Sequence, residues 1–121
     1  MVKALFDTNI LIDYLRGIQS ARDELHRYRK AAISVISWME VLVGATSGTE
    51  HGTRAFLDQF TLLAIDDAIA ERAVALRRTH RLKLPDAVVW ASAQVHSMLL
   101  VTRDAKAFPV GDPGIRMPYA I

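Results

Sequence analysis

Acidic residues recur at one kind of place in this chain of 121 residues, directly behind a short apolar run. Val2–Phe6 leads into Asp7, Ala31–Ile36 into Glu40, and Thr61–Ile65 into Asp66 and Asp67. Met98–Thr102 is followed, past Arg103, by Asp104, and Asp86 stands behind Pro85 at the head of another apolar stretch. Two chemistries fit this pattern. Asp is a favoured helix N-cap, so each acid could satisfy the first amides of the helix behind it. Asp66 and Asp67 are assigned that role because the helix after them reads as long and exposed. Ser37-Trp38-Met39-Glu40 likewise reads as a capping box, with Glu40 reaching back to the Ser37 amide. Alternatively, Asp7, Glu40, Asp86 and Asp104 share one pocket, where like charges repel unless a cation sits among them. Carboxylates and water are the ligands that Mg²⁺ or Mn²⁺ prefers. Spacing alone leaves both readings open.

The elements that must position these acids alternate along the chain. The short runs Val2–Phe6, Ala31–Ile36, Thr61–Ile65 and Met98–Thr102 are rich in Val, Ile and Leu, as buried strands are. Longer segments with helical spacing lie between them. Ile10, Leu11, Tyr14 and Leu15 form a stripe that stops at Gly17, a candidate C′ residue, and Ser20–Lys30 carries Ala21, Leu25 and Tyr28 on one face. Ser37–Ala45 and Thr53–Phe60 also read as helices. Asp67–Leu82 ends in Arg77-Arg78-Thr79-His80-Arg81, a basic run that suits the last turn of a helix. Pro85–His96 is apolar nearly all round and reads as the most buried helix, and a short last strand is expected around Ile115–Met117. Alternating strands and helices imply a parallel sheet of four to five strands inside a three-layer α/β/α sandwich. Such sheets place their ligands beyond the carboxyl ends of the strands, where the acids stand.

Composition narrows the field. The length suits one domain, 1–121, and the absence of cysteine removes disulfide frameworks, thiol nucleophiles and thiolate metal sites. The longest uncharged run, Ala87–Thr102, contains Gln94 and His96 and is too short to span a bilayer. Met1–Asp7 meets an acid too early for a signal-peptide core, so a cytoplasmic protein without membrane attachment is expected. His26, His51, His80 and His96 show no ligand spacing, and no Ser-His-Asp pattern, phosphate-cradling glycine loop or dinucleotide fingerprint is present.

Four segments, in order, carry a family resemblance. Phe6-Asp7-Thr8-Asn9-Ile10-Leu11-Ile12-Asp13 resembles the opening motif of PIN-domain nucleases, and Ser34–Ala45, with Ser37 and Glu40, resembles the second. Leu84-Pro85-Asp86-Ala87 resembles the third, and Leu100-Val101-Thr102-Arg103-Asp104, with Phe108 behind it, the fourth. The likeness spans nearly the whole chain and is greatest to the VapC-type toxins of prokaryotic toxin–antitoxin pairs. It implies a PIN-like fold and Mg²⁺-dependent endoribonuclease activity, with Mn²⁺ as a substitute. Asp7 and Asp86 would be the main metal ligands, Glu40 and Asp104 would complete the set, and Thr8, Ser37 and Thr102 would orient those acids. It also implies an RNA substrate, a homodimer and a VapB-like antitoxin whose tail crosses the active site. Many relatives carry a further Asp immediately before the last-motif phenylalanine, where this chain has Ala107.

Water activated by a metal would attack the phosphodiester, leaving a 5′-phosphate by family likeness, without the histidine pair of metal-free ribonucleases. RNA needs positive charge beside such a pocket. Eleven of the fifteen basic residues are Arg, and Arg16, Arg22, Arg27, Arg29, Lys30 and Arg103 are the candidates, Arg16 and Arg103 foremost. With four acids set aside, fifteen bases face nine acids over the remaining surface, although the formal charge of the chain is only +2. Two rival readings are a PIN-like protein that only binds RNA or a partner, and a signalling receiver domain. The receiver needs an acidic pair after the first strand and a lysine after the last, and here Asp7 stands alone.

Overall fold

The computed structural model describes residues 2–121. Its elements are β1 (Ala4–Phe6), α1 (Thr8–Leu15), α2 (Gln19–Leu25), β2 (Ala31–Ser34), α3 (Val35–Val43), α4 (Glu50–Leu57), β3 (Thr61–Leu63), α5 (Asp67–His80), α6 (Leu84–Val95), β4 (Leu99–Val101) and β5 (Ile115–Arg116). The five strands form one parallel sheet in the order β3-β2-β1-β4-β5. The chain builds outward from β1 to β2 and β3, then returns to add β4 and β5 on the other side. The strand order therefore reverses beside β1, and the crevice beyond the carboxyl ends of β1 and β4 is where such a sheet opens a site.

Alternation along the strands divides the apolar residues between two cores. Leu5, Ala32 and Leu100 face α5 and α6, where they meet Ile69, Ala73, Leu76 and the buried run Ala87–Ala93. Ala4, Phe6, Ile33 and Val101 face the other way, toward Ile10, Leu11, Ala21, Val41, Phe56 and Leu57. Phe6 meets Tyr28 and Phe60 edge-on, with ring centroids 5.7 and 6.2 Å away. This is the expected α/β/α sandwich, and α6 is its most buried helix. No helix among the described residues is long and apolar enough to cross a membrane.

Every strand is shorter than its apolar run, and at β2 the reason is that the helix that follows starts early. The clearest correction lies at β2. The expected strand ran to Ile36 with Ser37 as N-cap, but Ser34 caps α3, its hydroxyl accepting from the Ile36 amide at 3.1 Å. Val35 and Ile36 join the helix, Ser37 is buried within it, and Glu40 is released from the capping box. Asp66 does cap α5, accepting from the Ile69 amide at 2.9 Å, whereas Asp67 is an acid of the first turn. The helix expected over Ser20–Lys30 stops at Leu25, and Tyr28 beyond it turns back to the sheet.

Gly17 ends α1 as the C′ residue, with φ +81° and its amide donating to Tyr14 at 3.0 Å. An added Cβ would meet nothing within 4 Å, so substitution there acts through backbone strain alone. Gly17→Ala is expected to lower stability by about 1 kcal/mol, read as a lower urea midpoint at unchanged slope. An unchanged midpoint would refute the left-handed assignment.

Candidate active site

Asp7 lies one residue beyond the central strand. Its amide donates to the Val101 carbonyl at 2.9 Å, continuing the β1–β4 ladder, and its own carbonyl receives the Ile10 amide that opens α1. The side chain is 5 % exposed and has a donor on each oxygen. Oδ1 accepts from the Thr8 amide at 2.8 Å, while Oδ2 accepts from the Thr102 hydroxyl at 2.8 Å and from Asn9 Nδ2 at 3.2 Å. Asp7 is thus a cap, but capping alone does not require burying a carboxylate beside other acids. Burial raises its pKa, the bonds from Thr102 and Thr8 lower it, and the charges of Asp86 and Glu40 raise it again. The balance stands at about 6, against an ordinary 3.8.

The other three acids surround this buried one. Glu40 is exposed on α3, and its Oε1 accepts from the Thr8 hydroxyl at 2.7 Å; the same hydroxyl lies 2.9 Å from Ser37 Oγ. Asp86 sits half-buried in the first turn of α6, and among the described residues no side chain or amide donates to its carboxylate. Burial, then the charges of Asp104 and Glu40, push the Asp86 pKa up, with Lys83 opposing. Asp104 closes a turn, its Oδ1 accepting from the amides of Lys106 and Ala107 at 3.1 and 3.0 Å. The fully buried Thr102 hydroxyl joins the two sides, donating to Asp7 and accepting from the Asp104 amide at 3.1 Å.

Asp7 lies within electrostatic reach of Asp86 and Glu40, and Asp86 within reach of Glu40 and Asp104, yet no group of three or more among the described residues is gathered closely enough to hold an ion ready-made. The donor set nonetheless fits a hard divalent cation: all ligating atoms are oxygen, one carboxylate is buried with a raised pKa, and one lacks a donor. Ala107 contributes no fifth acid.

Two hollows flank the acids. On one side a groove of about 530 Å³ runs along α1, α3 and α4, lined by Ile12, Leu15, Arg16, Glu40, Val41 and Thr49 among others. On the other a cavity of about 390 Å³ contains Asp86 and Asp104. Arg16 therefore borders the site beside Glu40. Arg103 is turned away from it: Nε and Nη2 donate to the two oxygens of Asp13 at 2.5 and 3.1 Å, and Tyr119 Oη donates to the same carboxylate at 2.8 Å. The fork expected to meet phosphate is already occupied by a carboxylate that is 2 % exposed. Arg22 packs over the Tyr14 ring and Arg27 faces Glu24, so these two are also engaged locally.

Sequence reasoning missed Asn9 and Asp13 as parts of the site. Asn9 donates to Asp7 and to Thr102 and accepts from the Arg103 amide, tying both strand ends together. The signal was present, since Asn9 and Asp13 are four apart on an otherwise apolar helix and so share a face.

The raised pKa of Asp7 has a consequence for the metal-free protein. Its stabilising contribution is fully present below pH 3.8, where the carboxyl is protonated in both states, and is lost as pH rises through about 6. The cost at high pH is at most about 3 kcal/mol. With chelator present, Asp7→Asn is expected to be more stable than the parent at pH 8 by about 1–3 kcal/mol, the gain shrinking toward pH 4. Denaturant titrations at the two pH values measure this, and a variant no more stable at pH 8 would contradict a strained carboxylate.

Comparison with known proteins agrees with this geometry. Residues 4–111 match the PIN domain. The chain is 33 % identical to a protein named ribonuclease VapC10 from Mycobacterium tuberculosis, over 97 % of this chain and 93 % of that one. It is 49 % identical to a chain of a toxin–antitoxin complex from Klebsiella pneumoniae, with a TM-score of 0.93 and 98 and 99 % of the two chains covered. A DNA-bound VapBC from Salmonella typhimurium, 23 % identical over 96 % of each chain with a TM-score of 0.76, shares the fold. The sequence motifs, the parallel sheet and the acids at its carboxyl edge converge with these likenesses, and the chain belongs to the PIN domain family.

Proposed function

We propose that this protein is a metal-dependent endoribonuclease acting as the toxin of a toxin–antitoxin pair. The observation that carries the reading is Asp7, a buried carboxylate kept among other acids at the point where the sheet order reverses. The likeness to a protein named a ribonuclease and to a toxin–antitoxin complex supports the substrate class and the partner.

Asp7, Asp86, Glu40 and Asp104 would hold Mg²⁺, or Mn²⁺ in its place. When bound, the cation supplies an acidified water and positive charge for the phosphodiester as it passes to five-coordinate phosphorus. The chain's own residues do the rest. Thr102 and Asn9 fix the plane of the Asp7 carboxylate, Thr8 orients Glu40, and Thr102 sets the Asp104 turn. Asp86 carries the least restrained carboxylate and is free to adjust to its charge partner. Arg16, beside Glu40, is assigned a backbone phosphate of the RNA, and Arg103 becomes a strut for the Asp104 loop. The antitoxin is assigned the groove along α1, α3 and α4, whose apolar walls include Ile12 and Leu15, with Val43 85 % exposed on α3.

On single-stranded RNA with Mg²⁺ or Mn²⁺, Asp7→Asn and Asp86→Asn are expected to lower cleavage by roughly 100-fold or more, and EDTA to abolish it. Expression of the parent chain should arrest growth, and Asp7→Asn should relieve the arrest. Cleavage indifferent to chelator and to both substitutions would sink the nuclease reading. RNA binding without cleavage would leave a PIN-like binding protein.

A further inference from the structure

The basic run at the end of α5 has an ordinary explanation in the helix dipole, but its last residue does not behave as an ordinary terminus. Arg81 sits in the left-handed region, at φ 56° and ψ 35°, a conformation that costs a side-chain-bearing residue roughly 1 kcal/mol or more and that glycine adopts freely. That conformation reverses the chain, so that buried Leu82 tucks beneath and Lys83 leads into α6. His80 and Arg81 before the reversal and Lys83 after it then line the same 390 Å³ cavity as Asp86 and Asp104. Lys106, from the loop behind β4, lines it too.

The charges in this cavity are sorted. Among the described residues, Arg81, Lys83 and Lys106 enter no ion pair and make no side-chain hydrogen bond, although all three border a cavity containing two carboxylates. Of the site's other basic neighbours, Arg16 lies across the site beside Glu40 and Arg103 is held by Asp13. Five of the eight residues lining the cavity are Arg, Lys or Asp, which suits a charged strand. Its volume lies within the range of small-ligand sites and accommodates a single nucleotide unit. An RNA backbone laid across the acids would meet repulsion, and these cations line the cavity that Asp86 and Asp104 share.

We propose that Arg81, Lys83 and Lys106 form a backbone-phosphate subsite, gripping the phosphate next to the one that is cut. This rests on the ribonuclease reading above and specifies where its substrate lies. The subsite positions RNA without touching the reacting atoms, and it replaces Arg103 as the main source of positive charge.

The test compares two double variants that remove the same charge: Lys83→Ala/Lys106→Ala within the cavity, and Arg77→Ala/Arg78→Ala on the exposed turn outside it. Arg81→Gly is a third variant that removes a cation while relieving backbone strain, so loss of folding does not confuse it. Binding of a fluorescent single-stranded RNA is read by anisotropy on the Asp7→Asn background in chelator, and cleavage by the metal-loaded chain is read as kcat and KM. The cavity variants should weaken binding about fivefold or more, lower the slope of log K against log salt by about 1, and raise KM with kcat little changed. The outer pair should do much less. Equal effects from both pairs would show general attraction only and overturn the proposal. So would unchanged RNA binding in the cavity variants, or weakening only of the complex with the antitoxin. If the parent chain cuts RNA, such results count against the subsite alone; if it neither binds nor cuts RNA, the nuclease reading falls and the subsite with it.

Discussion

A carboxylate buried at the end of the central strand is the constraint around which this molecule is arranged. Asp7 is 5 % exposed and lies near two other acids, so its charge is expensive in the folded chain. The surroundings lower that cost without removing it. One oxygen takes the first amide of α1, at the positive end of that helix, and the other takes the Thr102 hydroxyl and the Asn9 amide. Because Thr102 ends β4 and Asn9 lies in α1, the groups that hold Asp7 also lock the strand order at its reversal point. The remaining frustration is electrostatic, of the kind that a bound cation would relieve.

Two ion-pair clamps carry this order outward. Arg116 of the two-residue strand β5 reaches Glu24, which is 3 % exposed, with Nε and Nη2 at 2.6 and 3.0 Å from its oxygens, and Tyr28 donates to the same carboxylate. Arg103 and Tyr119 hold Asp13 in the same manner. For both carboxylates burial works upward, but the hydrogen bonds from arginine and tyrosine outweigh it and hold the pKa below the ordinary value. Bidentate, charge-assisted bonds of this kind are costly to break from one side, by about 3–5 kcal/mol when one partner is removed. A ladder two residues long cannot fix a tail by backbone pairing alone. The side chains do so, and one clamp directly precedes Asp104, so fastening the tail also fixes an acid of the site.

Much of this was legible in the sequence wherever one residue's environment followed from its neighbours. The apolar runs marked four of the five strands, the short fifth was expected around Ile115–Met117, and Gly17 marked the end of α1. Strand ends were misplaced where two local solutions competed. Ser34 and Ser37 are both competent N-caps, and the structure uses Ser34, a choice that the local pattern does not contain. The acids were legible as candidates because Asp7, Glu40 and Asp104 come after apolar runs and Asp86 opens one, and the motif resemblance joined them into a set. Their partners were not, since Thr102 lies 95 residues from Asp7 and Arg103 lies 90 from Asp13. Arg103 looked like a phosphate ligand because it adjoins Asp104, and only the tertiary structure shows its fork spent on a buried acid.

Topology explains why negative charge ends in the middle of the site and positive charge at its edge. Asp7 and Asp104 follow β1 and β4, and Asp86, in the first turn of α6, is within electrostatic reach of both. The α5–α6 link and the loop before β5 also arrive at this end, but from outside the strands, and their residues border the crevice without entering it. Lys83 and Lys106 occupy those outer positions, and Arg81 reaches one by adopting a backbone conformation that disfavours it. A formal charge of +2 spread at random would give a weak and featureless field. Placed by this connectivity, the same residues put attraction for a polyanion beside the groups that would otherwise repel it, within the reach over which partly buried charges escape screening by salt.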